Sequence, residues 1–222
     1  MGNSIIRLFG YSIIVLLSGC FNEPEPAYKS VPAEKRIYLS DQGLKDLEAT
    51  QVSLAADYLN LDRNQLTNID CVAGMTELKW LRLNDNQLSS LPDLKGLVKL
   101  RRIYLRNNRF AAVPETLKDL PSLTDIDLSG NPVAEIPGWL AEKKGLVALS
   151  FTGTRLKKLP DDLSAWRSLK QLQLGELELA PEEMARIRRE LSESEVVFSW
   201  PARDRRTTPW RSLRPVIPAG SS

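Results

Sequence analysis

A single spacing recurs along most of this sequence and limits the folds open to it. The frame L-x-L-x-x-N-x-L appears as Leu59, Leu61, Asn64, Leu66 and again as Leu81, Leu83, Asn86, Leu88. It returns as Ile103, Leu105, Asn108, Phe110 and as Ile126, Leu128, Asn131, Val133. Two weaker copies follow, Leu149, Phe151, Thr154, Leu156 and Leu172, Leu174, Leu177, Leu179, and an imperfect one leads with Ile37, Leu39, Gln42, Leu44. Successive frames start 22 residues apart as far as Ile103 and 23 residues apart beyond it. One such unit cannot bury its apolar face alone, but a stack of them makes a continuous core.

Within each copy the L-x-L segment alternates with period two, so its apolar residues point inward from a short strand. The residue three places on turns the chain, and an asparagine there can bond backbone groups that the bend leaves unpaired. These frames resemble the leucine-rich repeat family over residues 34–198. The resemblance implies an α/β solenoid, a horseshoe with a parallel concave sheet and short helical or irregular convex segments. It also implies a stacked ladder of Asn64, Asn86, Asn108 and Asn131, with Thr154 a weaker substitute and Leu177 ending it. Pro114, Pro137 and Pro160 predict helical turns that begin with proline in the first helical position. The 22-residue copies are expected to return through tighter, 3₁₀-like or irregular paths.

An open solenoid exposes its core at both ends, so caps are expected. Residues 44–57 read as a short helix closing the first coil. At the other end "PEEMARIRREL" starts with Pro181 and two acids and gathers arginines later, which suits a helix dipole. Met184, Ile187 and Leu191 share one face of that helix, and Val196–Phe198 could add a last strand. Residues 199–222 are rich in Arg and Pro and read as a flexible tail.

The first residues read as a targeting segment. One basic residue, Arg7, precedes a mostly apolar run from Leu8 to Leu17, which is too short for a comfortable membrane span. Leu17, Ser18, Gly19 and Cys20 then match the lipobox and resemble bacterial lipoproteins. That resemblance implies removal of residues 1–19 and lipidation of Cys20, with residues 20–33 as a Pro-rich tether. A protein so anchored belongs in the bacterial cell envelope, and Phe21 after the cysteine mildly favours the outer membrane. Two acyl chains hold stably where one holds marginally. Cys71 is the only other cysteine. It reads as a small buried residue with a free thiol, which leaves no disulfide framework.

Composition narrows the chemistry. The chain has no histidine, which removes the usual general base, His-containing metal sites and any Cys–His pair. No Gly-rich phosphate loop is present, and no cofactor is expected. A formal net charge of +2 in 222 residues gives no reason to expect nucleic acid. The chain reads as a binding module rather than an enzyme.

The informative residues are therefore the strand positions that the leucines do not occupy. The first four copies place Tyr38, Tyr58, Trp80, Arg82, Arg102, Tyr104 and Arg106 there, residue types enriched in interface hot spots. Asp125 and Asp127 follow in the next copy and read as solvated surface able to meet a basic group or a cation. Asp62, also on this face, reads as solvated too. The expected function is a membrane-anchored module that binds a protein or peptide ligand through its concave face. The alternatives are an envelope structural or adhesion factor that binds glycan or peptidoglycan, and a host-directed secreted effector.

Overall fold

The computed structural model describes residues 6–8, 11–13, 35–47 and 52–198. Ile6–Leu8 (β1) and Tyr11–Ile13 (β2) form a small antiparallel pair. The targeting, lipidation and tether readings otherwise lie outside the described residues, as does the tail 199–222.

Seven strands stand where the repeat frame puts them. They are Arg36–Tyr38 (β3), Tyr58–Asn60 (β4), Trp80–Arg82 (β5), Arg102–Tyr104 (β6), Asp125–Asp127 (β7), Ala148–Ser150 (β8) and Gln171–Gln173 (β9). An eighth, Glu195–Val197 (β10), joins at one edge, a residue earlier than "VVF" suggested. All eight pair in parallel in simple sequential order, with equivalent residues in register. This is the expected leucine-rich-repeat solenoid.

The core follows directly from the frame. Leu59, Leu81, Leu149 and Leu172 are fully buried, as are the second-position residues Leu61, Leu83, Leu105, Leu128, Phe151 and Leu174. Each buried leucine is worth about 1.5–3 kcal/mol relative to exposure, so every coil is held chiefly by its neighbours.

The asparagine ladder is present. Asn108 Nδ2 donates to the carbonyl of Leu105 in its own coil at 3.0 Å and to that of Leu83 one coil back at 2.9 Å. Its Oδ1 accepts the N–H of Leu88 at 3.0 Å. Asn64, Asn86 and Asn131 repeat this pattern. Gln42 heads the ladder by donating Nε2 to Ser40, and Thr154 ends it with a single bond from Oγ1 to Phe151.

The residue just before each ladder position adopts a left-handed backbone. Asp41, Arg63, Asp85, Asn107, Gly130, Gly153 and Glu176 all have positive φ. A non-glycine residue there costs on the order of 1–2 kcal/mol, which cross-coil contacts help to offset. Asn107 Nδ2 donates to Asp85 at 2.7 Å, and Arg63 forms an ion pair with Asp41 at 2.5 Å. At Gly130 a Cβ would lie 2.1 Å from Asn107 Oδ1, so a larger residue there would have to push the Asn107 side chain aside as well as accept the positive φ.

Some expectations need correcting. Pro114 and Pro137 cap their turns from outside, with extended ψ of 123° and 150°, rather than occupying the first helical position. They precede a 3₁₀ turn at Glu115–Leu117 and a short helix at Gly138–Glu142 (α1). The turn after Pro160 waits until Ser164–Trp166, where Trp166 is fully buried and donates Nε1 to Leu140 at 2.9 Å. Among the 22-residue copies, a 3₁₀ segment at Asp70–Gly74 serves one return path and an irregular path the next. The described parts of 44–57 are bends and a turn, not a helix. That segment places its apolar residues irregularly, so no helical stripe forms.

The C-terminal cap is as expected. Pro181 opens the helix Pro181–Glu190 (α2), with Glu182 and Glu183 in its first turn and Arg188 and Arg189 in its last. Ile187 and Leu191 are buried against the last coil. Arg186 bonds Glu183 at 2.8 Å and the carbonyl of Pro160 at 3.1 Å, tying the helix to the preceding return segment.

Cys71 corrects the thiol reading. It is half-buried within the 3₁₀ segment, at the edge of the core, and it is disulfide-bonded. Its partner lies outside the described residues.

Candidate functional site

The parallel register turns the outward residues into rows that cross the sheet. One row runs Arg36, Tyr58, Trp80, Arg102, Asp125, Ala148, Gln171, and the next runs Tyr38, Asn60, Arg82, Tyr104, Asp127, Ser150, Gln173. With strands about 4.8 Å apart, row neighbours touch. The aromatic residues use both rows and form one chain. Ring centroids lie 5.2 Å apart for Tyr38–Tyr58, 5.1 Å for Tyr58–Trp80 and 5.8 Å for Trp80–Tyr104. The last two pairs meet edge to face, the arrangement that aromatic quadrupoles favour.

Two arginines lock this chain. The Arg102 guanidinium lies 5.0 Å from the Trp80 ring centroid, and that of Arg82 lies 5.6 Å from the Tyr104 centroid. Arg82 also pairs with Asp62 at 2.5 Å, and Arg102 Nε lies 3.7 Å from Asp125 Oδ1. The structure therefore brings together Tyr38, Tyr58, Trp80, Arg82, Arg102 and Tyr104, with Asp125 joined through Arg102. Asp127 is the register partner of Tyr104, whereas Arg106 lies a row further on. Cys20 lies outside the described residues.

Exposure falls steeply along the chain of rings. Tyr38 is 53% exposed, Tyr58 and Trp80 are half-buried, and Tyr104 is 1% exposed. Burial pushes the hydroxyls of Tyr58 and Tyr104 to resist ionisation more than usual.

The acidic positions are not solvated, contrary to the expectation above. Asp125 and Asp127 are 5% and 4% exposed. Burial raises both carboxyls above the ordinary aspartate range; Thr124 and Arg102 oppose it at Asp125, and Ser129 chiefly at Asp127. Asp62 is buried as well, because neighbouring rows close over a short side chain.

These acids do structural work that a row-by-row reading of the sequence misses. Asp62 Oδ1 accepts the N–H of Asn84 at 2.9 Å, and Asn84 Oδ1 accepts the N–H of Arg106 at 3.0 Å. Asn60 and Asp127 instead accept the N–H groups two residues on in their own coils, those of Asp62 and Ser129. A second polar ladder thus runs on the outward side of the strands. Its sequence signal is a short Asn or Asp at the outward position between or just after the two leucines. Beyond Asp127, Ser129 Oγ donates to Asp127 at 2.5 Å, lies 2.6 Å from Ser150 Oγ, and Ser150 in turn lies 3.5 Å from Gln173.

A groove of 730 Å³ borders the strand starts, with Arg101, Arg102, Asp125, Lys144, Lys170 and Glu195 among its lining residues. Its charge is mixed. Among the described residues no group of His, Cys, Asp and Glu is arranged to hold a metal ion.

Comparison with known proteins bears on the fold. Residues 76–118 match a family described as leucine rich repeats (2 copies). An internalin from Listeria monocytogenes is similar with a TM-score of 0.62 and 18% identity, over 75% of this chain and 48% of that one. YopM from Yersinia enterocolitica is similar with a TM-score of 0.53 and 28% identity, over 65% of this chain and 30% of that one. The chain thus spans under half of one relative and under a third of the other. No curated protein sequence matches it.

Proposed function

We propose that this chain is a non-enzymatic binding module that holds a protein or peptide partner on its concave face, and that a lipid on Cys20 anchors it at the bacterial cell envelope. The observation that carries the reading is the aromatic and arginine strip from Tyr38 to Tyr104 at outward strand positions. Its exposed end at Tyr38, 53% accessible, offers contact area without disturbing the leucine core.

A peptide partner fits the strip better than a stacked sugar. A sugar recognised by Trp80 needs an open ring face, and Arg102 lies over that ring at 5.0 Å. The arginine and tyrosine groups suit side chains and carbonyls of a polypeptide.

Trp80 and Arg82 are poor probes, because Arg82 neutralises the buried Asp62 and Trp80 packs against Tyr104. Tyr38→Ala is the cleaner test, and it should weaken partner binding by more than about 1 kcal/mol with stability nearly unchanged. An unchanged isotherm would move the site off this strip.

The anchor has its own test. An acylated Cys20 carries its sulfur as a thioether. Cys20 is the only cysteine besides Cys71, so the disulfide at Cys71 stands against acylation of Cys20, and the anchor reading requires a form of the chain in which Cys71 is reduced. Mass spectrometry of membrane-extracted protein should find acyl groups on Cys20, and Cys20→Ser should release the chain from membranes. Recovery of Cys20 bridged to Cys71 would overturn the anchor.

A further inference from the structure

We propose that the groove at the strand starts receives an extended acidic segment of the partner polypeptide, with two carboxylates four residues apart and an apolar side chain midway between them. The proposal rests on the reading of the concave face as the surface that holds a polypeptide, and it names the chemistry of the part that enters this groove.

The mixed charge of the groove sorts by exposure. Its acid Asp125 is 5% exposed and already accepts the Thr124 hydroxyl at 2.5 Å. Arg101, Lys144 and Lys170 are exposed, and among the described residues none of the three forms an ion pair. Glu195, at the β10 edge, is the exposed acid against them. Three accessible cations thus line one recess without a carboxylate at pairing distance, and a carboxylate that arrives there meets charge-assisted donors.

Backbone pairing sets the spacing of two of these cations. The carbonyl of Arg101 accepts the N–H of Thr124, that of Thr124 accepts Val147, and that of Val147 accepts Lys170, at 2.9, 2.7 and 2.8 Å. These four residues form one row across adjacent coils. Three steps of about 4.8 Å put Arg101 and Lys170 about 14 Å apart. A single phosphate or carboxylate cannot span that distance. An extended polypeptide advances about 3.4 Å per residue, so its residues i and i+4 match the span and project from the same side. Residue i+2, also on that side, then falls between Thr124 and Val147.

Val147 supplies an independent sign. It is 40% exposed in the middle of the row, one of four large apolar residues so exposed among those described. An apolar side chain at i+2 would cover it and remove that area from water. A recess suits a chain that lies within it and excludes a flat bilayer, and an apolar centre between the cations disfavours a strand of phosphates. Lys170 is the last cation before Glu195, so a third acid further on would meet like charge. Arg102 lines the groove and lies over Trp80 at 5.0 Å, so one polypeptide can occupy both the groove and the aromatic strip.

The test is a titration of the full chain with two fluorescein-labelled peptides of one composition, read by anisotropy at low ionic strength. In one peptide the aspartates stand four residues apart around a central valine; in the other they are adjacent. The spaced peptide should bind about fivefold more tightly. Arg101→Gln with Lys170→Gln should remove that difference, and Val147→Ser should weaken the spaced peptide about threefold. All three positions are exposed, away from the leucine core. Arg101→Glu with Lys170→Glu should transfer the preference to a peptide with lysines at the two acidic positions, which a merely structural role cannot produce. Equal affinity for the two aspartate peptides, or a preference that survives the glutamine pair, would overturn the proposal. Binding to phosphatidylglycerol vesicles or to oligodeoxythymidylate in place of the spaced peptide would overturn it in favour of a lipid surface or a nucleic acid. No peptide preference together with an intact effect of Tyr38→Ala on partner binding would remove the groove and leave the binding face standing.

Discussion

Replacing Asn108 by alanine tests whether the side-chain ladder holds the coils together, and the hydrogen bonds set the magnitude. Asn108 makes two strong donations, to Leu83 and Leu105, and accepts one N–H, from Leu88. The two carbonyls are not orphaned by its loss. Leu83 keeps a bond from Asn86, and Leu105 keeps one from Asn131. The Leu88 N–H has no such reserve and is left unpaired beside fully buried Leu88. One orphaned buried donor costs about 1–3 kcal/mol, and two weakened acceptors add less than that, so a total of about 2–4 kcal/mol is expected. Thr154→Ala, which loses only the bond to Phe151, should cost about 1 kcal/mol. Urea unfolding of both variants, with slopes matching wild type, measures the difference. A cost for Asn108→Ala below about 0.5 kcal/mol, or equal to that of Thr154→Ala, would refute the ladder as a source of stability.

Other outcomes follow from the same geometry. Asp62→Ala should cost about 1–3 kcal/mol, since it strips the Asn84 N–H and leaves Arg82 without its partner; a loss within 0.5 kcal/mol would return Asp62 to the solvated surface. Gly130→Ala should lower the melting temperature and cost about 1–3 kcal/mol, because its Cβ would displace the Asn107 side chain from Asp85. Asp127 carries a raised carboxyl, so its contribution is fully favourable below the unfolded value and is lost as pH rises through the folded one. The stability of wild type relative to Asp127→Asn should therefore fall as pH rises from about 4. A difference that is flat or rises across that window would contradict the burial of this group.

The parts of the fold written in local spacing were legible beforehand. The L-x-L segments placed seven strands because period two and a 22- or 23-residue repeat leave one register that buries every leucine. The ladder asparagines were legible because one residue type recurs at one place. The left-handed position was not, because Asp, Arg, Asn, Gly and Glu share it and only the glycines and the Asn and Asp residues hint at positive φ. Nor was the burial of Asp62, Asp125 and Asp127. Alternation shows which way a side chain points, whereas its exposure depends on the length of its neighbours in adjacent coils. The aromatic strip was visible as a list of outward residues, but its edge-to-face order needed the pairing of rows.

Site-specific photo-crosslinking in intact cells reads out whether a protein occupies the concave face. A photoreactive phenylalanine analogue at Tyr38, on the concave face, is compared with one at Val98, which is 49% exposed on a return segment. A partner on the concave face gives a discrete protease-sensitive adduct from position 38 and none from position 98. Adducts from position 98 alone, or a position 38 adduct that resists protease, would contradict a protein partner on the concave face.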